Sequence, residues 1–453
     1  MHSSTQLAFL FEEEKKPKTN KKNSEWGTFK DSLRAPIHRW FTYPAGFSYK
    51  AVEHSLERFD ILPGQTIYDP FMGSGTTNLT AKTLGMHSYG VEAHPFVYRI
   101  TKAKMNWRIE RGNVLEFIKK VRTELPRLAK TYKSSDIEEE FPELILKCYQ
   151  ERSLIDLLAL RTLISDCEML DSVREFFFVV VTALLREVST AATGWPYIAP
   201  KKQKVSSLDK DVLTEFSNLA RQMADDIEEI KIWSHGRYKN TNHTLINGDS
   251  RSTIRKIPDQ SIDHVFTSPP YLNNFDYADR TRLELYFWGE AKTWGDISRD
   301  IREKLMTSAT TQIARRNPKY EISEALIEEC PSVAEFVATA VTELSERRLT
   351  KGGRKSYDLM VAGYFNDMHQ IVKDVYRVLK PETKALFVLG DSAPYGVHIP
   401  TDKLIGDIGL CVGFDSCDIE VLRTRGGKWK KNPQRHSVAL RESIVILSKG
   451  KHE

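Results

Sequence analysis

The sequence is short of several features that would place it in common classes. It has five cysteines, Cys148, Cys167, Cys330, Cys411 and Cys417, an odd number with no CxxC pair. That pattern disfavours a disulfide scaffold and a zinc site, and it fits the reducing conditions of a cytoplasm. Long hydrophobic runs are missing too. The longest, FFFVVVTALL from Phe176 to Leu185, is too short to span a bilayer and reads as a buried helix, so no membrane association is expected. No cationic start is followed by an apolar core, so no signal peptide is expected. Charge of one sign is not in large excess: 66 Lys and Arg face 61 Asp and Glu, a net +5. Composition therefore permits a polyanionic partner without demanding one, and local clustering must decide. There is no internal repeat.

At 453 residues the chain has room for two or three domains, or for one large α/β domain with insertions. Residues 1–25, with EEEKKPKTNKK in the middle, read as a polar tail. TIYDPFMGSGTT reads as a strand entering a glycine turn, NLTAKTLG as the helix that follows, and HSYGVEAHP as a second strand tipped by Glu92. Strand, turn, helix, strand is a βαβ unit, which predicts a doubly wound parallel α/β sheet. From about 107 to 240 the chain is rich in helix formers with no convincing strand, and this stretch is expected to be a helical insertion too large for an ordinary connection. Strand signals return at HTLINGD and DHVFTSPPY. YFNDMHQIVKDVYRVLKP reads as an amphipathic helix stopped by Pro381, KALFVLGDS as a strand, and DSCDIEVLRT and RESIVILSKG as two closing strands.

The glycine turn narrows the choice of ligand. A nucleoside-triphosphate loop needs Lys after its second glycine, where this chain has Thr76; a dinucleotide turn needs a third glycine, where it has Asn78. Asp69 at the mouth of the turn suits a cationic ligand. S-adenosylmethionine carries an ammonium and a sulfonium, and its carboxylate can meet backbone N–H groups near Thr76 and Thr77. Glu92 stands where a carboxylate commonly bonds ribose hydroxyls. Asp249, after the third strand, can accept from an adenine amine or simply cap a following helix.

DHVFTSPPY ends a strand on two prolines. Proline has no N–H, so the carbonyls of Ser268 and Pro269 lack nearby donors and can act as fixed acceptors. Ser268 adds a hydroxyl and Tyr271 a flat face. Two acceptors and a stacking ring suit the exocyclic amine of a planar base, with catalysis by positioning rather than by a strong base. The bland alternative for these four residues is a polyproline turn packed by a tyrosine.

Taken together, DPFMGSGTT, TSPPY, the lead segment HRWFTYPAGF and the closing RGGKW…RHSVALRESIVIL resemble the exocyclic-amino DNA methyltransferases. The resemblance covers about Pro36 to Phe96 and Asn242 to Lys449. It implies a Rossmann-like S-adenosylmethionine-dependent methyltransferase sheet, spanning 26–106 and 241–453. It further implies that Asp69, Phe71, Gly73, Gly75 and Thr76 hold S-adenosylmethionine, that Glu92 meets its ribose and Asp249 its adenine, and that Tyr43 and Phe47 close over it. Ser268, Pro269, Pro270 and Tyr271 would form the catalytic corner. Serine at the first corner position usually accompanies cytosine-N4 in this family, where Asp or Asn usually accompanies adenine-N6. The implied activity is cytosine-N4 methylation of double-stranded DNA, with a cognate restriction endonuclease as a further partner. Adenine-N6, an RNA base amine and a non-catalytic DNA-binding role are the alternatives.

Asp249 and Ser268 are 19 positions apart, so no target-recognition domain fits between them. Recognition must lie in the insertion at 107–240, in 290–355, or in the C-terminal loop. That loop carries Arg425, Lys428, Lys430, Lys431 and Arg435 with Trp429 interleaved and no acid, a pattern expected to contact nucleic acid. Its bland counterpart is a solvated charged hairpin.

Overall fold

A computed structural model describes residues 30–43, 46–192, 198–203, 210–253, 256–273, 275–313, 317–350, 355–425 and 439–451. The expected βαβ unit is present: β1 (Thr66–Asp69), a helix α2 (Thr76–Leu84) and β2 (His87–Glu92), preceded by α1 (Tyr49–Arg58) and followed by α3 (Pro95–Lys104). Gly85 ends α2 in the left-handed conformation, with its N–H returned to the last turn. A helical region follows, with α4 (Arg111–Ala129), α5 (Glu151–Asp166), α6 (Asp171–Val188) and α7 (Val212–Trp233) as its long members.

Two short strands within that region, β3 (Ala191–Ala192) and β4 (Ala199–Gln203), form an antiparallel pair. Sequence periodicity showed no strand there; two- and five-residue strands are too brief to display an alternating pattern. The Phe176–Leu185 run lies in α6. Phe176, Phe177 and Phe178 are all buried, because this helix is surrounded by α3, α5, α7 and the 282–287 helix.

The main sheet adds β5 (His243–Asn247), β6 (Ile262–Thr267), β7 (Leu379–Gly390), β8 (Ser416–Arg425) and β9 (Leu440–Ser448), in the order β5-β2-β1-β6-β7-β9-β8. The first five of these are parallel, and β9 enters antiparallel between β7 and β8. Strand order reverses at β1, which makes the crevice above the carboxyl ends of β1 and β6 the place for a ligand. This is a doubly wound, Rossmann-like fold.

One face of the sheet packs on α8 (Tyr357–Val378) and α9 (Thr401–Cys411) through Val265, Phe387, Leu389, Val445 and Leu447. The other packs on α1 and α2 through Ile67, Phe266, Val388 and Ile444. The alternation of these two sets along β7 and β9 is the period-2 pattern of a strand buried on both sides. Helix α8 ends at Val378, before Pro381, and β7 begins at once. Pro381 thus lies inside the strand run rather than beyond a helix stop. The ladder with β6 jumps from Leu379 to Lys384, and Glu382 takes φ +61, so the proline sits where pairing is already broken. Among the described residues, no helix is long and apolar enough to cross a membrane.

Candidate functional site

Four parallel strands end at one cleft. Asp69 is the last residue of β1 and Glu92 the last of β2; Asp249 lies two past β5, and Ser268 one past β6. The cleft opens over about 850 Å³ of space and is lined by Tyr43, Phe47, Phe71, Gly73, Thr76, Glu92, Asp249, Ser268 and Pro270, among others. Of the residues singled out from sequence, Asp69, Gly75, Pro269 and Tyr271 stand behind this lining rather than in it.

The glycine turn is held open from below. Gly75 caps α2 at φ +86, and a Cβ there would sit 2.5 Å from Thr101 Cγ2, so neither the conformation nor the space admits a side chain. The hydroxyl of Thr101 donates to the Gly73 carbonyl at 2.7 Å. Lys104 Nζ donates to the Ser74 carbonyl at 2.7 Å. Both come from one face of α3, three residues apart. Burial pushes the Lys104 ammonium down to about 7. The turn's carbonyls are thus drawn toward α3. Neither residue was singled out from the sequence; a Thr and a Lys three apart in a helix carry no signal until the fold lays that helix under the turn.

Two buried carboxylates define the electrostatics. Asp69 Oδ1 accepts from the Phe71 N–H at 2.9 Å and the Thr267 hydroxyl at 2.6 Å, while Asp69 Oδ2 is buried without a partner. Burial raises its pKa to about 6. Glu92 accepts the Gly73 N–H at 2.9 Å and the His94 N–H at 2.8 Å, and burial raises it to about 7. A buried carboxylate oxygen without a donor is costly, and a cationic group placed there would relieve it. The site therefore fits a ligand bearing positive charge, with Glu92 poised for hydroxyls.

Tyr43 and Phe47 close one wall. Tyr43 lies 5.8 Å from the Tyr277 ring, and Phe47 packs 5.2 Å from Phe266 in the strand leading to the corner. Lys304, Leu305, Met306 and Ser308 also line the cleft; they belong to 290–355, which the sequence reading named only as a candidate recognition segment. Asp249 is half-exposed and gripped by Arg251, whose Nη2 lies 2.6 Å away and whose other nitrogen reaches Asp367 at 3.0 Å. No helix starts at residues 250–253, so the helix-capping alternative for Asp249 is not realised; its carboxylate instead accepts from the Arg251 N–H, closing a local turn.

At the proline corner, Ser268 Oγ donates to the Val388 carbonyl at 3.2 Å. Its one hydrogen is committed to the neighbouring strand, so the oxygen presents lone pairs to the cleft. Tyr271 is buried, and its hydroxyl donates to Glu442 Oε1 at 2.8 Å. Thr267, also missed, joins this corner to Asp69 and so to the glycine turn. Of the basic loop, Arg425 is the last residue of β8, while Lys428, Trp429, Lys430, Lys431 and Arg435 lie outside the described residues. Among the described residues, no group of three or more His, Cys, Asp or Glu is arranged to hold a metal ion.

The family model described as DNA methylase matches residues 6–103. The chain is 28% identical to the Type II methyltransferase M.BsoBI of Geobacillus stearothermophilus, over 94% of this chain and 88% of that protein. It is 23% identical to the Type II methyltransferase M.AvaI of Nostoc sp., over 93% and 88%. With the Type II methyltransferase M.MvaI of Kocuria varians it shares 23% identity over 86% and 85%. A solved rRNA methyltransferase, aviRa from Streptomyces viridochromogenes, overlaps 64% of this chain and 83% of its own at 11% identity and a TM-score of 0.24, so the fold rests on the strand order alone.

Proposed function

Because the chain belongs to the exocyclic-amino DNA methyltransferase family, we propose that it methylates the N4 amine of a cytosine extruded from double-stranded DNA at a specific sequence. The observation that carries the choice of chemistry is the Ser268 hydroxyl. With its hydrogen on Val388, it can only accept, which is what an amine N–H requires. The carbonyls beside the prolines supply the second acceptor. Together they hold the amine so that its nitrogen lone pair faces the cleft, and catalysis rests on that alignment rather than on proton removal by serine.

S-adenosylmethionine is the methyl donor and supplies an electrophilic methyl on a sulfonium. Asp69, buried just behind the lining, would favour its ammonium through the carboxylate charge. Glu92 would accept from ribose hydroxyls, Asp249 would stand at the adenine end, and Tyr43 and Phe47 would cover the ligand. Phe71, Gly73, Gly75 and Thr76 would shape the turn that receives it. Nucleic acid would approach along Arg425, Lys428, Trp429, Lys430, Lys431 and Arg435. Sequence recognition would lie in the helical insertion at 107–240, in 290–355 or in the C-terminal loop, since nothing between Asp249 and Ser268 can serve. The names of the relatives support a restriction–modification setting with an endonuclease of the same specificity.

The test is single-molecule sequencing of DNA from a host expressing the chain, read for modified bases. N4-methylcytosine at one recurrent sequence is expected. N6-methyladenine would retain the enzyme class and overturn the cytosine assignment; unmodified DNA with methylated RNA would overturn the substrate.

The carboxylates give a pH signature. Both have folded pKa values raised above their unfolded values, so the folded state binds more protons between about pH 4 and 7, and stability falls across that span as pH rises, levelling off above the folded values. A cationic ligand favours the ionised forms and offsets that cost. Affinity for S-adenosylmethionine is therefore expected to rise roughly tenfold from pH 5.5 to 7.5, then level off as the ligand's own amine, with a pKa of about 8, begins to lose its proton. Calorimetric titration checks this. Asp69→Asn is expected to flatten the acid limb, and a flat wild-type profile would contradict the assignment.

A further inference from the structure

The corner tyrosine is tied to a residue far away in sequence. Glu442 is on β9, which is separated from β6 by β7, yet its carboxylate reaches the Tyr271 hydroxyl at 2.8 Å. Two irregularities allow this. First, Gly390 lies directly opposite Glu442 in the β7–β9 ladder. Residues paired in this way share a face, and Gly390 presents no side chain on the face that Glu442 occupies. Second, the β8–β9 ladder shifts between Val421 and Arg423, with Leu422 as the extra residue. Without that bulge Arg423 would point to the opposite face; with it, Arg423 pairs with Glu442, and its Nε donates to Glu442 Oε2.

The Glu442 side chain is 2% exposed. A carboxylate so deeply buried is retained only when its oxygens are paired, and here one is held by a guanidinium and the other by the corner tyrosine. Tyr271 is buried and stands behind the cleft lining. The charge-assisted bond at its para position holds the far end of the ring toward β9 and so fixes the direction of the ring axis.

Resting on the reading above, we propose that Glu442 is a positioning residue for the target base: by holding the Tyr271 hydroxyl, with Arg423 neutralising its charge, it fixes the ring that backs Ser268 and Pro270 in the wall that receives the extruded base. Gly390 and the bulge at Leu422 are the backbone features that let it do so. This makes the antiparallel end of the sheet part of the methyl-transfer machinery, although none of it lines the cleft.

The experiment compares Tyr271→Phe, Glu442→Gln and the double variant in single-turnover methyl transfer on duplex DNA, with Ser268→Ala as control. Tyr271→Phe removes one oxygen and keeps the ring, so it guards against loss of fold in the Glu442 variant. Each single change is expected to slow transfer about tenfold with the KM for S-adenosylmethionine within about twofold, and the double variant is expected to be no slower than the worse single. Fluorescence of 2-aminopurine at the target position, which reports stacking of the extruded base, is expected to change in parallel. A purely structural role would leave that fluorescence untouched, and defects that multiply would show that the two residues act independently; either result overturns the proposal. Wild-type rates in both singles overturn it as well. If Ser268→Ala were fully active, the serine hydroxyl would not orient the amine, and the underlying reading would fall along with this inference. Loss of activity in Ser268→Ala with normal Glu442→Gln would sink the inference alone.

Discussion

Replacing Ser268 by alanine is expected to lower kcat for DNA methylation by about 10²–10³-fold, equivalent to about 3–4 kcal/mol, with the KM for S-adenosylmethionine changed less than about twofold. The size follows from what is removed. Ser268 Oγ donates its hydrogen to Val388 and lines the cleft with its lone pairs, so alanine takes away an acceptor that has no replacement on that strand end. The fold should survive. Val388 loses one donor at its carbonyl, worth about 1 kcal/mol, and the β6–β7 ladder remains paired at Phe266 and Thr267. Cofactor affinity should survive too, because Asp69 and Glu92 bond through Thr267, Phe71, Gly73 and His94 and not through Ser268. Threonine at 268 keeps the hydroxyl and is expected to retain more activity than alanine. The check is radiolabel transfer from S-adenosylmethionine to duplex DNA at saturating cofactor, with thermal unfolding to confirm the fold. An alanine variant within tenfold of wild type would show that the backbone carbonyls alone orient the amine.

Asp226→Ala is expected to cost about 3 kcal/mol of stability and to raise the KM for S-adenosylmethionine several-fold, although Asp226 is on α7 and far from the cleft. Its carboxylate, 1% exposed, is the shared acceptor for Ile37, Arg39 and Trp40 at the start of the lead segment. It accepts the Trp40 indole N–H at 2.9 Å, Arg39 Nε at 2.9 Å and the Ile37 backbone N–H at 3.3 Å. Ile37 has φ +63, a conformation that a β-branched residue adopts only when its surroundings impose it. Without Asp226, the buried Trp40 and Ile37 donors are left unpaired and the strained residue is released. Arg39 is partly exposed and can turn to water, which limits the loss. The segment leads directly into Tyr43 and Phe47, so relaxation at residue 37 should loosen the wall over the cofactor. Urea denaturation followed by circular dichroism checks the stability; Asp226→Asn, which keeps one acceptor, is expected to lose about half as much. An unchanged midpoint for the alanine variant would mean the insertion does not support the cleft.

The legibility of the site in the sequence varied with the range of the interactions. Asp69, Glu92 and Ser268 were readable because each ends a short apolar run, and a strand of a parallel sheet delivers its last residue to the same edge wherever it lies in the chain. The glycine turn was readable from Gly75, whose left-handed backbone and contact with Thr101 no other residue can supply. The short pair β3–β4 was not readable, because pattern needs length. Pro381 misled in detail, since a helix stop and an interrupted strand edge look alike when only the proline is seen. Thr101, Lys104, Thr267 and Glu442 gave no signal, because a hydrogen bond between residues distant in sequence leaves no periodicity behind.

By itself the sequence determined the doubly wound sheet, the edge on which the cleft would open, and the kind of cofactor that the acidic turn could accept. These follow from local rules: strand period, glycine conformation, and the donor that proline lacks. Only the tertiary structure decided which way Ser268 turns its hydrogen, which side chains draw back the carbonyls of the glycine turn, and that Tyr271 is held from β9 across Gly390. Each of those depends on which strands and helices become neighbours, and that is settled by burial of apolar faces over the whole chain rather than by any short stretch of it.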